Sequence, residues 1–190
     1  MRTLNLLTAV ALALPLGVSA QTTTPPSGYE LRWSDEFNGT SLNTTLWNIE
    51  ENGNGGGNQE LQYYRKENVA VHDGNLVLTA RRENYNNKQF TSGRVNTRDK
   101  AYFKHGIIQA RIKFPKTANG VWPAYWMMGN DYGKVEWPKC GEIDIVETGN
   151  ADGIKNGTQT RHFGSTLHWG TSAGAAHKQY GTSYLAPETN

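Results

Sequence analysis

The chain has 190 residues, about one domain's worth, and a formal charge of only +2 from 19 Lys and Arg against 17 Asp and Glu. That near balance excludes a binder of polyanions, which needs a clustered basic surface, and it excludes an acidic disordered chain. A single Cys forms no intramolecular bridge, so no disulfide framework holds the fold together.

In chain order, Met1 and Arg2 form a short basic start, followed by an apolar run over 6–16 that is too short to anchor in a bilayer. Val18-Ser19-Ala20 supplies the small residues of a cleavage site. Residues 1–20 therefore read as a signal peptide, 21–28 as a Thr/Pro-rich linker and 29–190 as one domain. The expected product is a secreted, extracellular monomer with no membrane anchor and no nucleic-acid partner. Sequons at Asn38, Asn43 and Asn156 fit a secretory route. Residues 52–58, with four Gly, form a loop that lacks the Lys and helix of a phosphate cradle.

Antiparallel strands follow. Val69 and Val71 precede Asp73-Gly74, a hairpin turn signal, and Leu76, Leu78 and Ala80 alternate after it. Over 106–114, Ile108, Ala110, Ile112 and Phe114 share one face and Gln109, Arg111 and Lys113 the other, which predicts a half-buried strand. Further strands are expected over 121–128, 142–147 and 165–169. No stretch after residue 20 carries three turns of helical periodicity. Short strands with Gly- and Asn-rich turns predict an all-β sandwich.

The chemistry concentrates in Gly141-Glu142-Ile143-Asp144-Ile145-Val146-Glu147. On a regular strand Glu142 and Asp144 face one way and Glu147 the other. One β-bulge after Asp144 would return Glu147 to the acidic face and leave Ile143 in the core. Two Glu held this way suit the paired carboxyls of a retaining glycosidase, with Asp144 between them to hydrogen-bond the nucleophile. An edge strand whose acids merely discourage aggregation fits the spacing equally well. Trp122, Trp126 and Trp137 lie nearby, and sugar rings pack their C–H faces on indole. Asn58, Gln62, Arg94 and His168 are candidate partners for sugar hydroxyls. No pair of the five His has metal-ligand spacing on one element.

These blocks together resemble glycoside hydrolase family sixteen, and within it the laminarinase-like endo-β-1,3-glucanases. The Glu142-Ile-Asp144-Ile-Val-Glu147 run matches that family's bulged signature. Asn58 to Tyr64, Thr91 to Arg94, Gly120 to Trp126 and Leu167-His168-Trp169 resemble its other blocks, in the family's order. The resemblance implies a jelly roll of two curved antiparallel sheets with a concave sugar-binding cleft. It implies Glu142 as nucleophile, Glu147 as acid/base and Asp144 as the residue assisting the nucleophile. It also implies Trp122 and Trp126 along the negative subsites with Asn58 and Arg94, His168 near the cleavage point, and Trp137 in the cleft.

The reaction implied is double displacement on β-1,3- or mixed β-1,3/1,4-glucan, with no cofactor in catalysis. A structural calcium occurs in many relatives, and Glu36 in the Trp33-Ser-Asp35-Glu36-Phe37 region resembles its N-terminal contributor; the usual C-terminal carboxylate has no counterpart here. Residues 170–190 read as polar and small, with no strand signal, so the sandwich is expected to lack its C-terminal strands. The alternatives are a non-catalytic β-glucan-binding protein, an inactive fragment, or a glucan transglycosylase.

Overall fold

A computed structural model describes residues 24–117, 120–171 and 177–188. The predicted signal peptide, and residues 21–23 of the predicted linker, lie outside the described residues. The chain divides into two compact units, Met1–Gly106 and Ile107–Asn190.

The first unit holds three small strand pairs. β1 (Asn48–Ile49) pairs with β6 (Val95–Asn96), β2 (Gln62–Tyr64) with β5 (Phe90–Ser92), and β3 (Val69–His72) with β4 (Asn75–Leu78). The β3–β4 hairpin turns at Asp73-Gly74, where both residues have positive φ (53° and 70°), as its twist requires. Val71 of β3 is buried. Asn68, just before β3, is also buried; its amide donates to the Thr79 carbonyl and the Thr91 hydroxyl, at 2.7 and 2.9 Å. The sequence predicts antiparallel pairing throughout, yet β2 and β5 run parallel. The chain between them contains the β3–β4 hairpin, and that excursion returns β5 in the direction of β2.

In the second unit β7 (Ala124–Met128), β8 (Glu142–Thr148), β9 (His162–Trp169) and β10 (Lys178–Leu185) form one antiparallel sheet, ordered β10-β9-β8-β7. A five-residue helix, α1 (Ala151–Lys155), joins β8 to β9, capped where the Asn150 side chain accepts from the Gly153 N–H. Gly129 and Gly149 bracket the β7–β8 pair at close approaches. A Cβ at Gly129 would lie 1.8 Å from the Cys140 carbonyl oxygen, and one at Gly149 2.3 Å from that of Val121.

The bulge predicted in the acidic strand is present. From Glu142 to Glu147, β8 advances five residues, while β9 opposite advances four, from His168 to Gly164. β7 also advances four, from Met128 to Ala124, and Ile145 is the β8 residue without a partner there. Side chains alternate along a strand, so four steps on both neighbours restore Glu147 to the face of Glu142. The carbonyl of Ile145 accepts the Ser165 hydroxyl at 2.7 Å, which satisfies a backbone group at the bulge.

Three expectations are corrected here. Residues 106–114 carry no strand, and Ile108 and Ile112 are exposed. Their alternation defines a face, but a strand needs a ladder partner, and none pairs with them among the described residues. Residues 170–190, read as lacking a strand signal, contain the eight-residue β10, paired in full register with β9. Its Tyr and Thr residues are good strand formers, but every residue of β10 is exposed, so no apolar alternation announces it. Ile143, expected in the core, is 45% exposed, because the face it shares with Leu167 and Tyr180 is open, at 45% and 70%.

Ser165→Ala removes the hydroxyl at the bulge carbonyl. It should lower the unfolding free energy by about 1 kcal/mol in denaturant titrations, while a Ser165→Thr variant, which keeps the hydroxyl, loses less. Equal losses in the two variants would show that the bulge does not depend on this bond.

Candidate active site

The acidic face of β8 carries three carboxyls, and each has its own hydrogen-bond partner. The Trp137 indole N–H donates to Glu142 Oε2 at 2.8 Å, and the Trp122 indole N–H donates to Glu147 Oε1 at 3.1 Å. Between them Asp144, 4% exposed, lies within 4.8 Å of a Glu142 carboxylate oxygen and 3.0 Å from His168 Nε2 through its Oδ2.

Local structure delivers each partner. His168 stands on β9 directly opposite Glu142 and reaches diagonally to Asp144. Trp126, half-buried on β7, pairs opposite Asp144 and so shares its face. Trp122 precedes β7, held where Thr148 N–H donates to the Pro123 carbonyl and where Gly149, lacking a Cβ, lets the Val121 carbonyl approach. Trp137 sits in the β7–β8 loop, which is tied by Gly129 N–H to the Gly141 carbonyl and by Gly141 N–H to the Pro138 carbonyl. Both indoles remain partly open to solvent, so their faces are available to a flat ligand.

The environment separates the carboxyls electrically. Burial pushes the Asp144 carboxyl up to about 6, helped by the charge of Glu142 and the bond to it; His168 pulls the other way. Burial also raises Glu147, and the Asp144 charge adds to that, while the Trp122 N–H and His168 oppose it. A carboxyl held protonated above its ordinary range, beside an acidic partner five residues away, can donate a proton to a leaving oxygen.

The remaining expected site residues lie in the first unit. Asn58 is exposed at the end of the Gly55–Gly57 turn, with long amide contacts to the Gly56 carbonyl and Glu60 Oε1, at 3.4 and 3.5 Å. Arg94 Nε pairs with Glu50 Oε1 at 3.1 Å, and its guanidinium lies 5.4 Å from the centre of the Tyr64 ring. Tyr64 donates its hydroxyl to Glu60 Oε2 at 2.6 Å, and its pKa is raised by burial and then by that bond.

Glu36 is half-buried in the segment before β1. Both oxygens of its neighbour Asp35 are engaged, one by the Phe37 N–H and one by the Trp47 indole, each at 2.9 Å. Among the described residues Glu36 joins no group of three or more ligating side chains; the one such group is Glu142, Asp144 and His168, already part of the acidic site.

Sequence reasoning missed His177. Its Nε2 lies 2.8 Å from His168 Nδ1, and its ring packs on Trp137. A lone His after a Gly/Ala-rich stretch gives no signal; only the β9–β10 register brings it beside His168.

Comparison with known proteins agrees with this architecture. Residues 8–137 match the family model described as "Beta-glucan synthesis-associated protein SKN1/KRE6/Sbg1". The chain is 41% identical to the clotting factor G alpha subunit of Tachypleus tridentatus, over 86% of this chain and 23% of that protein. It is 40% identical to glucan endo-1,3-beta-glucosidase A1 of Niallia circulans, over 83% of this chain and 26% of that protein. Among solved structures, a family-sixteen enzyme of a mixed-linkage glucan locus in Bacteroides ovatus, in complex with a product, matches with a TM-score of 0.71. It shares 40% identity, over 82% of this chain and 64% of that one. The chain belongs to glycoside hydrolase family sixteen, among its laminarinase-like members, and has that family's all-β jelly-roll fold class. It spans about a quarter of the length of the two curated relatives named here.

The raised Asp144 carboxyl has a consequence for stability. Unfolded, it releases its proton near 4; folded, near 6. Between these values the folded state holds the extra proton, so Asp144 costs stability progressively as pH rises through that window. The melting temperature of Asp144→Asn relative to the natural chain should therefore climb from pH 4 to pH 6 and level off above. A difference that shrinks over that range would contradict the assignment.

Proposed function

We propose that the chain is the catalytic part of a secreted, retaining endo-glucanase acting on β-1,3- or mixed β-1,3/1,4-glucan. The observation that carries this reading is the convergence of Glu142, Asp144 and Glu147 on one face of β8, each with its own hydrogen-bond partner. The names of the Niallia and Bacteroides relatives support the substrate class.

In this reading Glu142 attacks the anomeric carbon while Glu147 protonates the departing glycosidic oxygen, giving a glycosyl-enzyme. Glu147, now ionised, takes a proton from water, and the hydroxide displaces Glu142 with net retention. Burial raises the Glu147 pKa, which favours the protonated form that the first step uses. The Trp137 N–H steadies the ionised form of Glu142, and Asp144 shares its hydrogen bond as charge moves off the nucleophile. Exposed faces of Trp122 and Trp137 supply stacking surface for sugar rings. In this reading the groups that carry the reaction all lie within residues 122–168 and work without a cofactor. Secretion rests on the signal-peptide pattern of residues 1–20; no helix among the described residues is long and apolar enough to cross a membrane.

A second reading has one observation in its favour: the matched family model is described by β-glucan synthesis rather than breakdown. The same glycosyl-enzyme gives transglycosylation when an acceptor sugar replaces water. Product analysis with and without added laminari-oligosaccharide acceptor separates the two.

Glu142→Ala and Glu147→Ala should each lower turnover by at least about a thousandfold. Azide should rescue both on an activated aryl glycoside, but with opposite stereochemistry. It replaces the missing nucleophile in Glu142→Ala and gives the α-glycosyl azide. In Glu147→Ala it intercepts the glycosyl-enzyme and gives the β product. The same anomer from both variants would overturn the roles.

A further inference from the structure

His177 belongs to no motif in the sequence, yet it completes a chain of contacts that ends on the acidic strand. His168 uses both ring nitrogens: Nε2 faces Asp144 Oδ2 at 3.0 Å, and Nδ1 faces His177 Nε2 at 2.8 Å. The two imidazoles stack with centroids 5.0 Å apart and planes 27° from parallel. Trp137, whose N–H holds Glu142, packs on both rings, with centroids 4.6 Å from His177 and 5.9 Å from His168.

Two ring nitrogens this close share one proton, and the neutral forms allow two arrangements. In one, His168 carries its proton on Nε2 and donates to Asp144, so its bare Nδ1 must accept from His177. In the other, the proton sits on Nδ1 and is donated to His177. His168 Nε2 is then bare and can be met only by a protonated oxygen of Asp144. An ionised Asp144 only accepts, and above about 6 it has no proton to offer a bare Nε2. At neutral pH the 3.0 Å contact between Nε2 and Oδ2 therefore needs its proton on the imidazole. Only the first arrangement satisfies both contacts of His168 at once.

We propose that His177 is a positioning residue: its Nε2–H donates to His168 Nδ1, holds His168 as the Nε2–H tautomer, and thereby keeps a donor on Asp144 Oδ2. The proposal rests on the reading of Glu142 as nucleophile. His177 touches no reacting atom and acts through His168.

The test uses the full-length chain labelled with nitrogen-15 histidine, without substrate, at neutral pH. His168 resonances are assigned by their loss in His168→Gln. In long-range proton–nitrogen spectra the natural chain should show a protonated Nε2 and a bare Nδ1 for His168. His177→Leu should average the two tautomers. His177→Gln, whose amide N–H can replace the imidazole donor, should restore the fixed one. On laminarin, His177→Leu should lower kcat about tenfold with KM unchanged, and His177→Gln should recover most of it. A protonated Nδ1 in the natural chain, or an unchanged tautomer in His177→Leu, overturns the proposal. Where circular dichroism shows that His177→Leu has not folded, averaging in a folded His177→Gln overturns it instead. Spectra as expected from a chain that cleaves no glucan would uphold the tautomer assignment and overturn the glucanase reading.

Discussion

The site depends on a counting constraint: six residues of β8, Glu142 to Glu147, lie against five of each neighbouring strand. On an unbroken ladder Glu147 would point away from Glu142, and no side-chain adjustment could bring it back, because alternation is a property of the backbone. The bulge at Ile145 and Val146 removes that conflict locally. It also gives the acidic strand two different neighbourhoods. Glu142 and Asp144 lie before the bulge and meet Trp137 and His168, whereas Glu147 lies beyond it and meets Trp122.

That division gives similar carboxyls different surroundings. Asp144 is nearly excluded from water and sits next to the charge of Glu142, so its proton is held to about 6. Glu147 is raised as well, mainly by burial, with the Trp122 N–H limiting the shift. Glu142 has the Trp137 N–H directed at it and Asp144 beside it. The two indoles therefore bind charge through their edges and offer their faces to a ligand. The segments that carry them are set by backbone approaches at Gly129 and Gly149 that no larger residue would permit.

Much of this was legible in the sequence, and the failures have physical causes. Asp73-Gly74 announces its hairpin because few residue pairs adopt positive φ in succession. The bulge is legible because three acids and two Ile cannot otherwise keep the acids together. The alternation of Ile108, Ala110, Ile112 and Phe114 is real, but pattern specifies a face and says nothing about whether a partner strand lies beside it. β10 fails in the opposite sense: its place comes from β9, and its exposed Tyr, Thr and Ser side chains leave no apolar signature. The parallel β2–β5 pair depends on how the intervening hairpin folds back, and His177 on the register between β9 and β10. These features are set by contacts between segments, which local reading cannot supply.

The central claim is that Glu142 is the nucleophile and Glu147, brought round by the bulge, is its acid/base partner. The most direct measurement is mass spectrometry after incubation with a 2-deoxy-2-fluoro laminari-oligosaccharide carrying a dinitrophenyl leaving group, which forms a glycosyl-enzyme faster than water can release it. The account predicts one stoichiometric label, on the peptide containing 141–147 and localised by fragmentation to Glu142. A label on Glu147 would reverse the two roles. No label, with dinitrophenol still released, would mean that no covalent intermediate accumulates and that the double-displacement account is wrong.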